Sequence, residues 1–165
     1  MAERPHILLA DANVLIDYRD ADLTILKTAR VHLGPIRVVR EVLDEVSDLD
    51  GDQASTFGIE VVDVSIELLL EVAALPPRLS RPDRLSYLVA RENDWICLTN
   101  DRLLRELCEE HDVRLCWGLE IMALLVEADA LVREVAAETA RTIIDNNPRM
   151  GPELLAAFLE RVGHR

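Results

Sequence analysis

The feature that most constrains this chain is the run HILLADANVLID at residues 6–17. An apolar segment too short for a helix ends on Asp11, and apolar residues then resume at helical spacing. That switch reads as a buried strand whose carboxyl end presents Asp11 where a helix begins. A strand apolar on both faces belongs in a parallel sheet covered by helices on each side. In open α/β sheets ligands bind at the carboxyl ends of the strands, so Asp11 stands where chemistry is expected.

The alternation continues along the chain. Residues 12–18 and 23–33 carry helical spacing closed by Gly34-Pro35, and residues 36–39 read as a second strand. Residues 40–46 read as a helix with Val42, Leu43 and Val46 on its apolar face, which sets Glu41 and Glu45 four apart on a neighbouring face. An acidic, turn-rich loop is expected over 47–55, a strand over 59–64, and a helix over 66–74 that Pro76-Pro77 ends. Ser80-Arg81-Pro82-Asp83 has the form of a helix start, with a cap, a proline in the first turn and an acid three residues on; that helix runs to about residue 93. Residues 95–98 and 113–116 read as the fourth and fifth strands, with a helix over 102–111 between them. Helices then follow over 119–127, 130–145 and 152–162.

Strands alternating with helices at this spacing predict an α/β fold, a three-layer α/β/α sandwich on a central parallel sheet of about five strands, with added C-terminal helices. Half of the 165 residues are apolar, enough to build one core, and no composition shift divides them. The expectation is a single domain over 1–165, with its core at about 6–118 and a helical extension at about 119–165.

Charge narrows the function. The chain carries 31 acids against 18 bases, a net charge of -13, which disfavours a broad phosphate-binding surface and anionic membranes. It leaves open a nucleic-acid substrate held through metal ions. Lys27 is the lone lysine, so guanidinium groups would carry phosphate contacts. From Glu41 to Glu71 there are ten acids and no base, whereas Arg78, Arg81, Arg84, Arg91, Arg102, Arg105 and Arg114 cluster later. Of these, Arg78, Arg81, Arg84 and Arg102 are candidate phosphate contacts at the mouth of an acidic pocket; pairing with the acidic segments is their plainer role. Cys97, Cys108 and Cys116 form no CxxC pair and read as reduced core residues of a cytoplasmic protein. The apolar blocks are too short to span a bilayer, and the N-terminus does not have the form of a signal peptide. Trp95 and Trp117 adjoin strands and are expected in the core.

Four acids occupy positions that such a fold turns toward one pocket: Asp11 after the first strand, Glu45 after the second, Asp83 opening its helix, and Asp101 after the fourth strand. Carboxylates forced together raise one another's pKa unless a cation is present. Oxygen ligands without histidine or thiolate select Mg2+ or Mn2+, and a pair of such ions about 3.5–4 Å apart can activate water and stabilise a leaving oxygen in phosphodiester cleavage. His6, His32, His111 and His164 are scattered and form neither a triad nor a metal pattern. Asn13 and Thr99 are expected to orient carboxylates, with turn formation as the plainer role. Asp17 is a supporting candidate, although an exposed helix acid is its ordinary reading. Asp11, Asp83 and Asp101 also suit simple helix capping.

These residues resemble the PIN-domain ribonucleases. Asp11-Ala12-Asn13-Val14-Leu15 looks like that family's D-x-N-v-L, and IRVVREVLDEV at 36–46 is similar to its second motif, with Glu45 rather than Glu41 at the acidic position. Asp83-Arg84-Leu85-Ser86-Tyr87-Leu88-Val89-Ala90, then ICLTND with Thr99 and Asp101, resemble the third and fourth. The resemblance spans residues 7–118. It implies a PIN-like fold and Mg2+- or Mn2+-dependent cleavage of RNA with Asp11, Glu45, Asp83 and Asp101 as metal-binding and catalytic residues. It further implies an RNA substrate and an antitoxin or other protein partner, as in toxin-antitoxin pairs, though the tail is longer than compact toxins carry.

Two other readings stay open. The same first strand resembles the nucleophile strand of haloacid-dehalogenase-like phosphatases, with Asp11 as nucleophile. That family needs a second aspartate where Asn13 stands, and a later lysine. The other is a catalytically silent binding module whose tail docks a partner. Leu124, Leu125, Leu131, Val132 and Val135 give the tail an apolar content that suits a homo-oligomer.

Overall fold

The computed structural model describes residues 6–163. Among these the sheet has five parallel strands, β1 (Leu8–Ala10), β2 (Ile36–Val39), β3 (Ile59–Val62), β4 (Ile96–Leu98) and β5 (Leu115–Cys116), in the order β3-β2-β1-β4-β5. The chain begins at the centre, moves outward to β2 and β3, then crosses back to lay β4 on the other side of β1. Connections therefore diverge between β1 and β4, where an open α/β sheet has its crevice.

Helices cover both faces: α1 (Ala12–Ala21), α2 (Thr24–His32), α3 (Arg40–Leu43), α4 (Gly51–Thr56), α5 (Ile66–Val72), α6 (Arg81–Asn93) and α7 (Arg102–Glu110). The tail adds α8 (Glu120–Glu127), α9 (Arg133–Asn146) and α10 (Pro152–Arg161). This is a three-layer α/β sandwich with C-terminal helices. Leu8, Leu9, Ala10, Ile36, Val38 and Leu98 are buried, as strands sheltered on both faces must be. The tail is continuous with that core. Helix α8 packs on α2, α9 on α1, and α10 on α8 and α9, which buries Ala136, Ala140, Ile143 and Phe158 in the same apolar cluster. Leu125 is buried there too, whereas Val132 and Val135 remain exposed.

The connection after β2 departs from expectation. Helix α3 stops at Leu43, because the Glu45 and Val46 N–H groups donate to the carbonyls of Val42 and Leu43, three residues back, and tighten the chain out of the α-helix. Glu45 thus stands on a turn, not on a helix. The expected loop over 47–55 contains α4, started by a capping box in which Asp50 accepts from the Gln53 N–H and Gln53 returns a bond to the Asp50 N–H. Ser80 caps α6 as expected, accepting from the Asp83 N–H at 3.2 Å, with Pro82 in the first turn.

The tryptophans depart from expectation as well. Both are half-buried and lie under guanidiniums, Arg37 at 4.7 Å over Trp95 and Arg105 at 3.8 Å over Trp117. Trp95 packs against the core with one face under its cation, whereas Trp117 lies outside that cluster. Cys97, Cys108 and Cys116 are buried and unbridged. Among the described residues no helix is long and apolar enough to cross a membrane. His164 lies outside the described residues.

Candidate active site

Asp11 follows β1 directly, and its N–H donates to the Leu98 carbonyl at 3.1 Å, which ties it to the neighbouring end of β4. Its carboxylate is fully buried. One oxygen accepts from the Val14 N–H at 2.9 Å and caps α1, and the other accepts from the Thr99 hydroxyl. Thr99 in turn accepts from the Asp101 N–H at 3.0 Å, so one hydroxyl links the two acids after β1 and β4. Burial pushes the Asp11 carboxyl up to about 7; the bonds from Thr99 and Val14 oppose that rise, and the charges of Asp83 and Asp101 add to it.

Those two acids complete the centre. Asp101 caps α7, accepting from the Leu104 N–H at 2.9 Å, and is half-buried. Asp83 sits in the first turn of α6, half-buried; desolvation and the Asp101 charge raise its carboxyl, opposed by the Ser80 hydroxyl and the Arg149 guanidinium. Asp11, Asp83 and Asp101 thus act on one another's ionisation from the starts of α1, α6 and α7, where each helix N-terminus favours negative charge. Capping alone explains none of the convergence, because a cap works equally well alone at the surface. Glu45 stands at the rim, exposed, with its carboxyl raised by partial desolvation and by the charge of Asp83. Asn13 is half-buried in the first turn of α1.

The four expected arginines are engaged nearby. Arg78 pairs with Glu110 at 3.5 Å and Arg81 with Glu41 at 3.1 Å. Arg84 donates to the Val72 carbonyl at 3.1 Å, and Arg102 pairs with Glu106 at 3.5 Å along α7. Lys27, the lysine a phosphatase would require, is exposed on α2, which packs on β2, β3 and α8.

The chain matches no protein-family model and none of the curated proteins. Its fold is similar to that of a PilT N-terminus domain protein from the hyperthermophilic archaeon Sulfolobus solfataricus, with a TM-score of 0.52 and 16% identity over 71% of this chain and 91% of that one. The fold is PIN-like.

In this PIN-like sandwich the acid cluster has the chemistry of a divalent-ion site. Its donors are carboxylate oxygens, and a buried Asp11 beside two further acids is costly when ionised without a counter-charge. Among the described residues no three histidine, cysteine or acidic side chains close to metal-ligating geometry. Carboxylate oxygens without imidazole or thiolate suit a hard ion such as Mg2+ or Mn2+. The thiols offer no rival chemistry, since burial pushes Cys116 up to about 12.

Sequence reasoning missed Arg149, which belongs to the tail, and Asn100, which joins the tail to the crevice. Asn100 donates to Asp17 at 3.3 Å and accepts from the Gly118 N–H at 2.9 Å, while Asn147 donates to Asp17 at 3.1 Å. Asp17 is therefore buried rather than an exposed helix acid; burial pushes it up to about 6, opposed by the two amides. The Tyr18 hydroxyl donates to the Gly118 carbonyl at 2.6 Å and completes the knot. Gly118 has no room for a side chain, as a Cβ would lie 2.6 Å from Asn100 Nδ2. Gly118→Ala is expected to cost about 1–3 kcal/mol, read as a lower urea midpoint, because Asn100 must move off its partners. An unchanged midpoint would mean that the knot yields freely.

Proposed function

We propose that this protein is a divalent-metal-dependent ribonuclease, with Mg2+ or Mn2+ as its ion and RNA as its substrate. The reading is carried by one observation: Asp11, fully buried at the point where the sheet's connections diverge, lies within electrostatic reach of Asp83 and Asp101. Capping accounts for each acid singly but not for three acting on one another, and a cation relieves their repulsion. The likeness of the fold to a PilT N-terminus domain protein and the order of the motifs support it.

Asp11, Asp83 and Asp101 would hold the ion, with Glu45 at the rim. When bound, a divalent ion there supplies polarisation of water and of the phosphate oxygens. Thr99 fixes the Asp11 carboxylate in place, and its own orientation is set by the Asp101 N–H. The ends of α1, α6 and α7 hold the acids on rigid elements, so the donors need little reorganisation.

Purified protein is expected to cut a single-stranded RNA in the presence of Mn2+ or Mg2+, and EDTA is expected to stop the reaction. RNA left intact over a full titration of both ions would leave a binding module as the better account.

A further inference from the structure

We propose that the cleft between α7 and α10 is a binding site for the backbone phosphates of single-stranded RNA, built by the C-terminal helices beside the acid cluster. The proposal rests on the ribonuclease reading for its ligand, and on separate residues for its site. The cleft has a volume of about 700 Å³, and Asp101 belongs both to its wall and to the acid cluster, so a strand lying in it would run directly to the scissile position.

Three guanidiniums line it against two carboxylates. Arg102, Arg105 and Arg149 face Asp101 and Glu153, a local excess of positive charge in a chain whose net charge is -13. Arg105 is the most telling. Its guanidinium lies 3.8 Å over the Trp117 ring, and its Nε is buried with no hydrogen-bond partner among the described residues. That Nε is shut off from the cleft, so the donors a phosphate would meet are the terminal amino groups of the guanidinium, which the Trp117 ring holds in place and no carboxylate pairs among the described residues. Arg102 is held loosely, 75% exposed and 3.5 Å from Glu106, so it can exchange that partner for a phosphate. Arg149 is exposed on the segment between α9 and α10, and its charge already reaches Asp83. The tail therefore does more than cover α1: it supplies one wall of the cleft and one of its cations.

The test is fluorescence anisotropy of a labelled single-stranded oligoribonucleotide with the full chain in Mg2+, on an Asp11→Asn background so that the RNA stays intact. Arg149→Ala and Arg105→Ala are each expected to weaken binding about tenfold and to lower the slope of log affinity against log salt by roughly 0.7, the share of one single-strand phosphate. Arg149 is exposed, so its variant keeps the fold even where loss of Arg105 from Trp117 does not. In the otherwise wild-type chain, Arg149→Ala is expected to keep the Mn2+-induced rise in melting temperature, a readout that separates phosphate binding from ion binding. Affinity and salt slope unchanged in Arg149→Ala would overturn the cleft and leave the nuclease standing. Binding that depends on Arg149, in a wild-type chain that cuts nothing with Mn2+, would do the reverse. A background chain that does not bind the oligonucleotide overturns the cleft outright.

Discussion

Asp11→Asn is expected to abolish RNA cleavage, by roughly a thousandfold or more, in a chain that still folds. The substitution keeps the shape and removes the charge. Asn can accept from the Val14 N–H as Asp11 does, and its amide can donate to Thr99, whose hydroxyl oxygen has room for a second donor beside the Asp101 N–H. The Thr99 hydroxyl proton loses Asp11 as its acceptor, a cost of about 1–3 kcal/mol, while near neutral pH the fold is relieved of a buried carboxyl that resists ionisation, so the metal-free chain is expected to stay folded with a melting temperature close to wild type. The ion loses the one buried carboxylate of the cluster, and with it the anchor between the β1 and β4 ends. Cleavage rates in Mn2+, compared with melting curves in EDTA, separate the two effects. A variant cutting at the wild-type rate would remove Asp11 from the chemistry and with it the proposed function.

Without a divalent ion, Asp11 is expected to make the protein less stable as pH rises from about 4 to about 7. In the unfolded chain Asp11 releases its proton near 3.8, whereas in the folded chain burial and two neighbouring acids hold it to about 7. Below 3.8 both states are protonated and the folded chain has the full benefit. Between the two values only the folded state keeps the proton, so the benefit drains away as pH rises, and above about 7 the fold carries a buried anion. The ceiling on this contribution is about 4 kcal/mol. Asp17, shifted from 3.8 to about 6, acts in the same direction over a narrower window.

Urea midpoints in EDTA at pH 4.5 and 7.5, wild type against Asp11→Asn, isolate the Asp11 share from the self-repulsion of the other acids. The difference between the two proteins should grow with pH, the variant being the steadier. Saturating Mn2+ should reverse the wild-type loss, because the ion competes with the proton for the same carboxylate. Parallel pH profiles for the two proteins would show that Asp11 ionises as freely in the fold as in the unfolded chain.

What could be read from the sequence was local. The apolar runs at β1, β2 and β4 and the helical spacing between them specify a parallel α/β sheet, since strand and helix periods are properties of neighbouring residues. The cap at Ser80 is likewise written in four consecutive residues. The Asp50–Gln53 capping box was also there to be read, but acidic, turn-forming composition masked it. The end of α3, and so the placing of Glu45 on a turn, followed from tightening hydrogen bonds that no apolar period records.

The mutual approach of Asp11, Asp83 and Asp101 was an expectation of order and spacing, and their effect on one another's ionisation arises only with β4 laid beside β1. Burial of Asp17 could not be foreseen, because its partners Asn100 and Asn147 stand 83 and 130 residues away. The same holds for Arg149 beside Asp83, and for the orphaned Nε of Arg105 over Trp117. By itself the sequence determined the alternation of strands and longer helices and the acids that follow β1 and β4. Tertiary structure alone decided which charges share a low-dielectric space, because burial is a property of the packed surroundings and not of the residue that is buried.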